Sequence, residues 1–280
     1  MRAESPFMLN ALVIVWRESL EAMLVIGILA AWSTGRGGGH TTGAGLWRGV
    51  AAGLALALAL AAVMQGTLGS LSDRGQEIFQ ALLILFAAVL MTQMVLWMRR
   101  HARGLRLEME SALDRAAERR GAWGIAAVAA VAVAREGSET VIFLQGIASG
   151  VGWGALLPSA LAGVALAGIT AWAAARGLRF LPQQQVLRVS ANLLLLFAAG
   201  MLVLGTDRLI GLEWIPPGPD PLWNTSALLD DSSGVGKWLA NLFGYRARPA
   251  AADVLVFFGF WALMVAQRWW PRRTPQQPSA

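Results

Sequence analysis

Residues 49–64 read GVAAGLALALALAAVM and residues 192–206 read NLLLLFAAGMLVLGT, and neither stretch contains a charged side chain. The whole chain has 280 residues, of which 56% are apolar and 14% are charged. An average soluble domain has about 25% charged residues. Such long uncharged runs exclude a water-soluble globule, a disordered chain and a nucleic-acid-binding protein, despite the net charge of +6. They predict an all-α, polytopic integral membrane protein.

Seven segments are long and apolar enough to cross the hydrocarbon layer, which takes about 20 residues of helix. They are residues 7–32, 46–70, 76–98, 122–149, 153–175, 186–209 and 252–270. We expect no cleavable signal peptide, because the first apolar run meets Arg17 and Glu18 and continues to Trp32 without a small-residue cleavage site. The long connection, residues 210–251, contains an amphipathic candidate helix at Gly236–Phe243.

The distribution of Arg and Lys predicts the orientation of these spans. With the N-terminus outside, 15 of the 23 basic residues lie in inner segments and six lie in outer segments. Because basic residues concentrate on the cytoplasmic side, this favours an N-out, C-in protein with residues 210–251 outside. We expect a multi-pass protein of the plasma or inner membrane.

The two remaining basic residues lie inside predicted spans, each in an R-E-x-x-E motif. Residues 16–21 read WRESLE and residues 134–139 read AREGSE, 118 positions apart. A weaker sequence similarity relates residues 81–88 (ALLILFAA) to residues 192–199 (NLLLLFAA). Three spans separate the copies, so the first and fourth helices run in opposite directions. We therefore predict that helices 1–3 and 4–6 form an inverted repeat, with helix seven outside it.

This reading divides the chain into five parts. Residues 1–98 form the first three-helix repeat, residues 99–121 a solvated cytoplasmic connecting helix, and residues 122–209 the second repeat. Residues 210–251 form an extracytoplasmic loop, and residues 252–280 form the seventh helix and a cytoplasmic tail.

Each motif places two carboxylates and one guanidinium on one face of a helix, because residues three and four apart are neighbours there. Six unpaired charges at this depth would cost on the order of 15–20 kcal/mol, so they must meet one another, water or an ion. Four carboxylates and two guanidiniums sum to −2, which a divalent cation neutralises. Carboxylates favour hard cations and also accept ferrous iron. The alternatives are salt bridges that only fix helix packing, and glutamates that move protons for a coupled carrier.

The paired motifs, on the first and fourth of seven spans, resemble the oxidase-dependent iron permease family. This family includes fungal high-affinity iron permeases and bacterial EfeU-type permeases. The resemblance covers nearly the whole chain and includes residues 222–226 and 231–236 of the outer loop, although Asn224 stands where many relatives carry Asp. It implies import of ferrous or ferric iron through four metal ligands and two supporting arginines: Glu18, Glu21, Glu136, Glu139, Arg17 and Arg135. It also implies extracytoplasmic partner proteins that bind or oxidise iron.

Other candidates are weaker. Asp73 and Glu77 begin the third span, where acidic residues cap helices, or where Glu77 serves as an entry ligand for the ion. Met91, Met94 and Met98 recur at helical spacing, which is typical of core packing and also of a thioether path for copper(I). We expect no permanently bound cofactor, with iron as the transported substrate.

We expect no enzymatic activity, since neither a nucleophile–base pair nor H-E-x-x-H is present in the sequence. Two other functions stay open. One is a permease for another divalent cation, such as manganese or lead, and the other is a proton-coupled carrier that uses the same glutamates.

Overall fold

The computed structural model describes residues 5–35, 40–101, 104–176, 183–231 and 234–269. Within them the chain forms eight helices and no strand: α1 (Ser5–Gly35), α2 (His40–Ser70), α3 (Asp73–His101), α4 (Leu105–Val151), α5 (Trp153–Ala175), α6 (Gln183–Gly211), α7 (Gly234–Phe243) and α8 (Ala251–Trp269). The predicted cytoplasmic tail, beyond Trp269, lies outside the described residues. The all-α prediction is confirmed.

Four of these helices are long and apolar enough to cross a membrane. Their apolar portions are Gly43–Ser70 in α2, Asp73–Arg99 in α3, Trp153–Ala173 in α5 and Ala191–Gly211 in α6, and α8 supplies a shorter apolar stretch, Ala251–Gln267. The helices that carry the charged motifs, α1 and α4, are not among these four. These helices fit a multi-pass plasma-membrane protein, while the count of seven spans stays a prediction.

Helices of the first half (α1–α3) pack mainly against helices of the second half (α4–α6). Helix α1 packs mainly on α5 and α4, α2 packs on α4, and α3 packs on α6. If the first three helices are matched in order with α4, α5 and α6, the α1–α5 contact corresponds to the α4–α2 contact. The pairs α1–α4 and α3–α6 then lie at the centre of the arrangement.

Glycines allow two of these helix pairs to approach closely. A Cβ atom at Gly49 of α2 would lie 2.3 Å from the Ala126 carbonyl oxygen of α4, and one at Gly53 would lie 2.7 Å from that of Ala130. At Gly163 of α5, a Cβ would lie 2.8 Å from the Leu12 carbonyl oxygen of α1. Small residues such as these glycines allow helices to pack this closely. At Gly168 of α5, by contrast, no described atom of a neighbouring segment lies within 4 Å of a Cβ.

Helix α4 has two arms that meet at Gly121. This residue has φ 55° and ψ −136°, a conformation that glycine adopts without a Cβ clash. The short arm (residues 105–120) turns sharply against the long arm (residues 122–151), so that a Cβ at Gly124 would lie 2.2 Å from the Ala116 carbonyl oxygen.

The short arm corresponds to the predicted connecting helix, but it begins at Leu105, because α3 continues to His101. The prediction that it is simply solvated is wrong for one face. Leu113 is completely buried in an apolar cluster with Leu29 and Leu46, and the indole N–H of Trp32 donates to Asp114 Oδ1 at 2.7 Å.

The segment between α6 and α8 is held by backbone hydrogen bonds. The N–H groups of Leu222 and Thr225 donate to the carbonyls of Pro249 and Ala247 at 3.0 and 2.9 Å. The predicted amphipathic helix in this segment is α7. An ion pair joins Arg246 to Asp207 of α6, so the segment is attached to the helix bundle.

Candidate metal site

The two motifs meet because α1 packs against the long arm of α4. One carboxylate oxygen from each of Glu18, Glu136 and Glu139 lies within 4.8 Å of the others. Glu18 and Glu136 are buried, and the Glu139 side chain is 14% exposed. Three carboxylates from two helices thus share one small volume.

Each of these three carboxylates has an oxygen with no assigned donor. Among the described residues, Oε2 of Glu18, of Glu136 and of Glu139 is buried without a hydrogen-bond partner. A buried carboxylate oxygen without a donor is energetically costly. A cation held between the three side chains would offset the cost of burying these carboxylates.

The first motif is organised around Arg17, whose side chain is 2% exposed. Its Nη1 donates to Glu18 Oε1 at 2.9 Å, and its Nη2 lies 2.6 Å from Glu21 Oε1. Glu21 is therefore held against Arg17 and is not one of the three clustered carboxylates. The guanidinium thus contacts both glutamates of its own motif, and its supporting role stays a prediction.

The same guanidinium contacts two sulfur atoms of α3. Nη1 donates to Met94 Sδ at 3.0 Å, and Nη2 donates to Met98 Sδ at 2.6 Å. Met91 belongs instead to the apolar core and is completely buried. The helical spacing of the three methionines predicted core packing or a thioether path for copper(I), and carried no signal for a contact with Arg17. The copper(I) path stays a prediction.

The second motif is arranged differently. Arg135 Nε donates to Glu139 Oε1 at 3.0 Å, but the Arg135 side chain is 45% exposed. Its guanidinium carbon lies 4.8 Å from the centre of the Trp97 ring, in cation–π contact. Nothing in the spacing of the sequence indicates this contact between α3 and α4.

Glu77 lies apart from the three clustered carboxylates. It is exposed near the start of α3 and precedes Met94 by 17 residues, or about 25 Å along the helix at 1.5 Å per residue. The start of α3 is capped by Ser72, whose Oγ accepts from the Gly75 N–H at 3.3 Å. The role of Glu77 as an entry ligand therefore stays a prediction.

Asn224 of the outer segment has a local structural role. Its Oδ1 accepts hydrogen bonds from the N–H and the hydroxyl of Ser226, at 3.0 and 2.6 Å.

Comparison with known proteins identifies the relatives of the chain. Residues 8–268 match the model of the iron permease FTR1 family. The chain is 31% identical over 265 residues to the ferrous iron permease EfeU of Escherichia coli O6:H1, covering 88% of this chain and 89% of the relative. It is also 31% identical over 251 residues to the ferrous iron permease EfeU of Yersinia pestis, covering 88% and 87%. No solved structure matches the chain.

These relatives are membrane permeases and not enzymes, as the sequence led us to expect. The family match extends over both motifs and nearly all of the helices described above. The chain therefore belongs to the iron permease FTR1 family.

Proposed function

We propose that this protein imports iron through a carboxylate site built from its two R-E-x-x-E motifs. Glu18, Glu136 and Glu139 receive the ion, and Arg17 and Arg135 orient them. The observation that carries this proposal is the buried, undonated oxygen on each of the three clustered carboxylates. Glu21 becomes the fourth ligand after the ion has entered, because it lies one turn beyond Glu18 on the same face of α1.

Ferrous iron is the species that the charge of the site favours. Four glutamates and two arginines sum to −2, so a divalent ion brings the buried volume to neutrality, whereas a trivalent ion leaves +1. The E. coli and Y. pestis relatives are named ferrous iron permeases, which agrees with this electrostatic argument.

The transport path is that of an inverted repeat with seven spans, N-out and C-in. Residues 1–98 and 122–209 form the repeats, residues 99–121 connect them, residues 210–251 lie outside, and residues 252–280 add the seventh span and the tail. The exchanged packing of α1 on α5 and of α2 on α4 supports this division. Transporters of this kind place the substrate between the halves, near the midplane.

Two features extend the path beyond the central site. Glu77, exposed at the start of α3, serves as an entry ligand that gathers cations outside. Extracytoplasmic proteins that bind or oxidise iron deliver the ion, as the sequence resemblance implied.

Membrane lipid contacts the exposed apolar faces of α2 and α5, where Leu58 and Leu161 are 63% and 68% exposed.

Uptake of radioactive iron into proteoliposomes tests the proposal. Ferrous and ferric iron are offered separately to the native protein and to Glu139→Gln, which keeps the side-chain volume and removes one charge. Glu118→Gln, on the exposed surface of the short arm, is the matched control. We expect ferrous uptake in the native protein and in the control, and loss of uptake in Glu139→Gln with normal insertion into the membrane.

Other results would lead to the alternatives. If Glu139→Gln lowered the amount of inserted protein but left transport per molecule unchanged, the motifs would only fix helix packing. Manganese or lead flux without iron flux would make the protein a permease for another cation. Proton flux that metals merely inhibit would favour a proton-coupled carrier.

A further inference from the structure

The Arg17 guanidinium is surrounded by donor atoms that suit a metal ion. Nη1 contacts Glu18 Oε1 at 2.9 Å and Met94 Sδ at 3.0 Å. Nη2 contacts Glu21 Oε1 at 2.6 Å and Met98 Sδ at 2.6 Å. Each terminal nitrogen thus faces one carboxylate and one thioether. The Arg17 guanidinium therefore lies among two carboxylate oxygens and two thioether sulfurs, which we call the Arg17 donor set.

This set is unusual for an arginine alone. A thioether is a weak acceptor, and a buried guanidinium is normally satisfied by oxygens in a planar, bidentate geometry. Glu21 Oε1 is near Nη2 but, among the described residues, it has no partner with hydrogen-bond geometry, and Arg17 Nε is likewise buried without one. Three of the four contacts are hydrogen bonds, two of them to thioether sulfurs, while Glu21 Oε1 and Arg17 Nε are left without one among the described residues.

The set adjoins the three clustered carboxylates through Glu18. One oxygen of Glu18 faces Arg17, and the other is the buried atom without a partner in the cluster. Glu21 lies three residues further along α1, about 4.5 Å of helical rise from Glu18. Glu21 is thus the next carboxylate along α1 from an ion held by Glu18, Glu136 and Glu139, and Arg17 links it to the two methionines.

We propose that Glu21, Met94 and Met98, together with Glu18, form a second cation site, which the Arg17 guanidinium fills until an ion displaces it. The proposal rests on the carboxylate site being an iron site. An arriving cation competes with Arg17 for Glu18, and when the guanidinium withdraws, the ion takes its place among two carboxylates and two sulfurs. The positive charge at this depth is thereby kept while the ion advances.

The donor set identifies the class of ion that the second site accepts. Thioethers bind soft and borderline metals, and methionine ligates iron in cytochromes c. Hard cations such as Mg²⁺ and Mn²⁺ prefer oxygen ligands. The three clustered carboxylates accept any of these divalent ions. The second cation site, with its two sulfurs, is therefore where ferrous iron is distinguished from Mg²⁺ and Mn²⁺.

The test compares Met94→Leu/Met98→Leu with Met91→Leu. Leucine and methionine have similar volumes, so packing changes little, and Met91 is a buried methionine of the same helix without a contact to Arg17. Proteoliposome uptake of Fe²⁺ is measured against uptake of Mn²⁺. We expect the Fe²⁺/Mn²⁺ ratio to fall about tenfold in the double variant, in the range lost when contacts of a metal site are removed, and to stay unchanged in Met91→Leu.

Iron X-ray absorption gives a readout that packing alone would not change. The native protein and the double variant are loaded anaerobically with two equivalents of Fe²⁺ per chain. A sulfur neighbour of iron is expected in the native protein and should vanish in the double variant. If the double variant were unstable in a thermal unfolding control, the Fe²⁺/Mn²⁺ uptake ratio would be measured for Met94→Leu and Met98→Leu separately.

The outcomes separate this inference from the proposed function. Native iron uptake with an unchanged Fe²⁺/Mn²⁺ ratio in the double variant, and iron surrounded by oxygen alone, would overturn the second site and leave the carboxylate site standing. An absence of iron uptake and binding in the native protein would overturn both.

Discussion

The two R-E-x-x-E motifs have the same residue pattern but different surroundings. Arg17 is 2% exposed and contacts carboxylates and methionine sulfurs, whereas Arg135 is 45% exposed, pairs with Glu139 and lies on Trp97. Two copies of one pattern thus differ in burial and in the partners of their guanidinium groups. The first guanidinium is the one whose removal would leave buried carboxylates without their cation.

The largest difference between the motifs should appear when each arginine is replaced by glutamine. Removing Arg17 leaves Glu18 and Glu21 buried without their cation, and breaking such a pair typically costs about 3–5 kcal/mol. Arg135→Gln should cost much less stability, because its side chain is nearly half exposed. Thermal unfolding in detergent and the amount of inserted protein measure this. Equal losses in the two variants would contradict the asymmetry.

The close contacts at Gly49 of α2 and Gly163 of α5 allow the helix packing of the two halves to be compared. Gly49→Ala places a Cβ 2.3 Å from the Ala126 carbonyl oxygen, and Gly163→Ala places one 2.8 Å from that of Leu12. Both should separate helices, with a cost of about 1–3 kcal/mol as for overpacked cores. The larger effect is expected at Gly49, where the contact is shorter. Gly168→Ala, with open space around its Cβ, is the control and should leave the unfolding temperature unchanged.

Trp97→Leu isolates the cation–π contact of the second motif. Such contacts contribute about 0.5–2 kcal/mol, so we expect iron uptake to fall between about twofold and thirtyfold when Arg135 loses its contact with the indole ring. Insertion into the membrane should be normal. Trp123→Leu, which alters a side chain that is 80% exposed, controls for the loss of an indole. A Trp97 variant with full uptake would show that the position of Arg135 is set by Glu139 alone.

The smallest effect is expected at Glu77. Because it lies about 25 Å along α3 from Met94, at 1.5 Å per residue, it acts on the arrival of the ion and not on the central site. Glu77→Gln should lower uptake at limiting iron by about threefold or less and leave the maximal rate unchanged, since one exposed charge changes the local ion concentration only modestly. Glu108→Gln, an exposed carboxylate of the short arm, is the control. A reduced maximal rate would instead place Glu77 on the central path.

Much of the helical framework could be predicted from the sequence, because long apolar runs specify helices of membrane-spanning length. The predicted segment at residues 153–175 coincides with α5, and Gly236–Phe243 lies within α7. The short arm of α4 was predicted as a helix, but its buried face around Leu113 was not. Its charged residues suggested solvation, and only the turn at Gly121 brings that face against α1 and α2.

The sequence by itself determined the all-α architecture and the positions of the two motifs, since hydrophobicity and helical periodicity are local properties of the chain. It also determined that Glu18 shares a helix face with Glu21, and Glu136 with Glu139. The tertiary structure alone decided that Glu18 joins Glu136 and Glu139 while Glu21 stays with Arg17. It also decided that Met94, Met98 and Trp97 of α3 contact the two arginines. These contacts depend on how α1, α3 and α4 are rotated and offset against one another, which is set by packing between distant segments and not by spacing within any one of them.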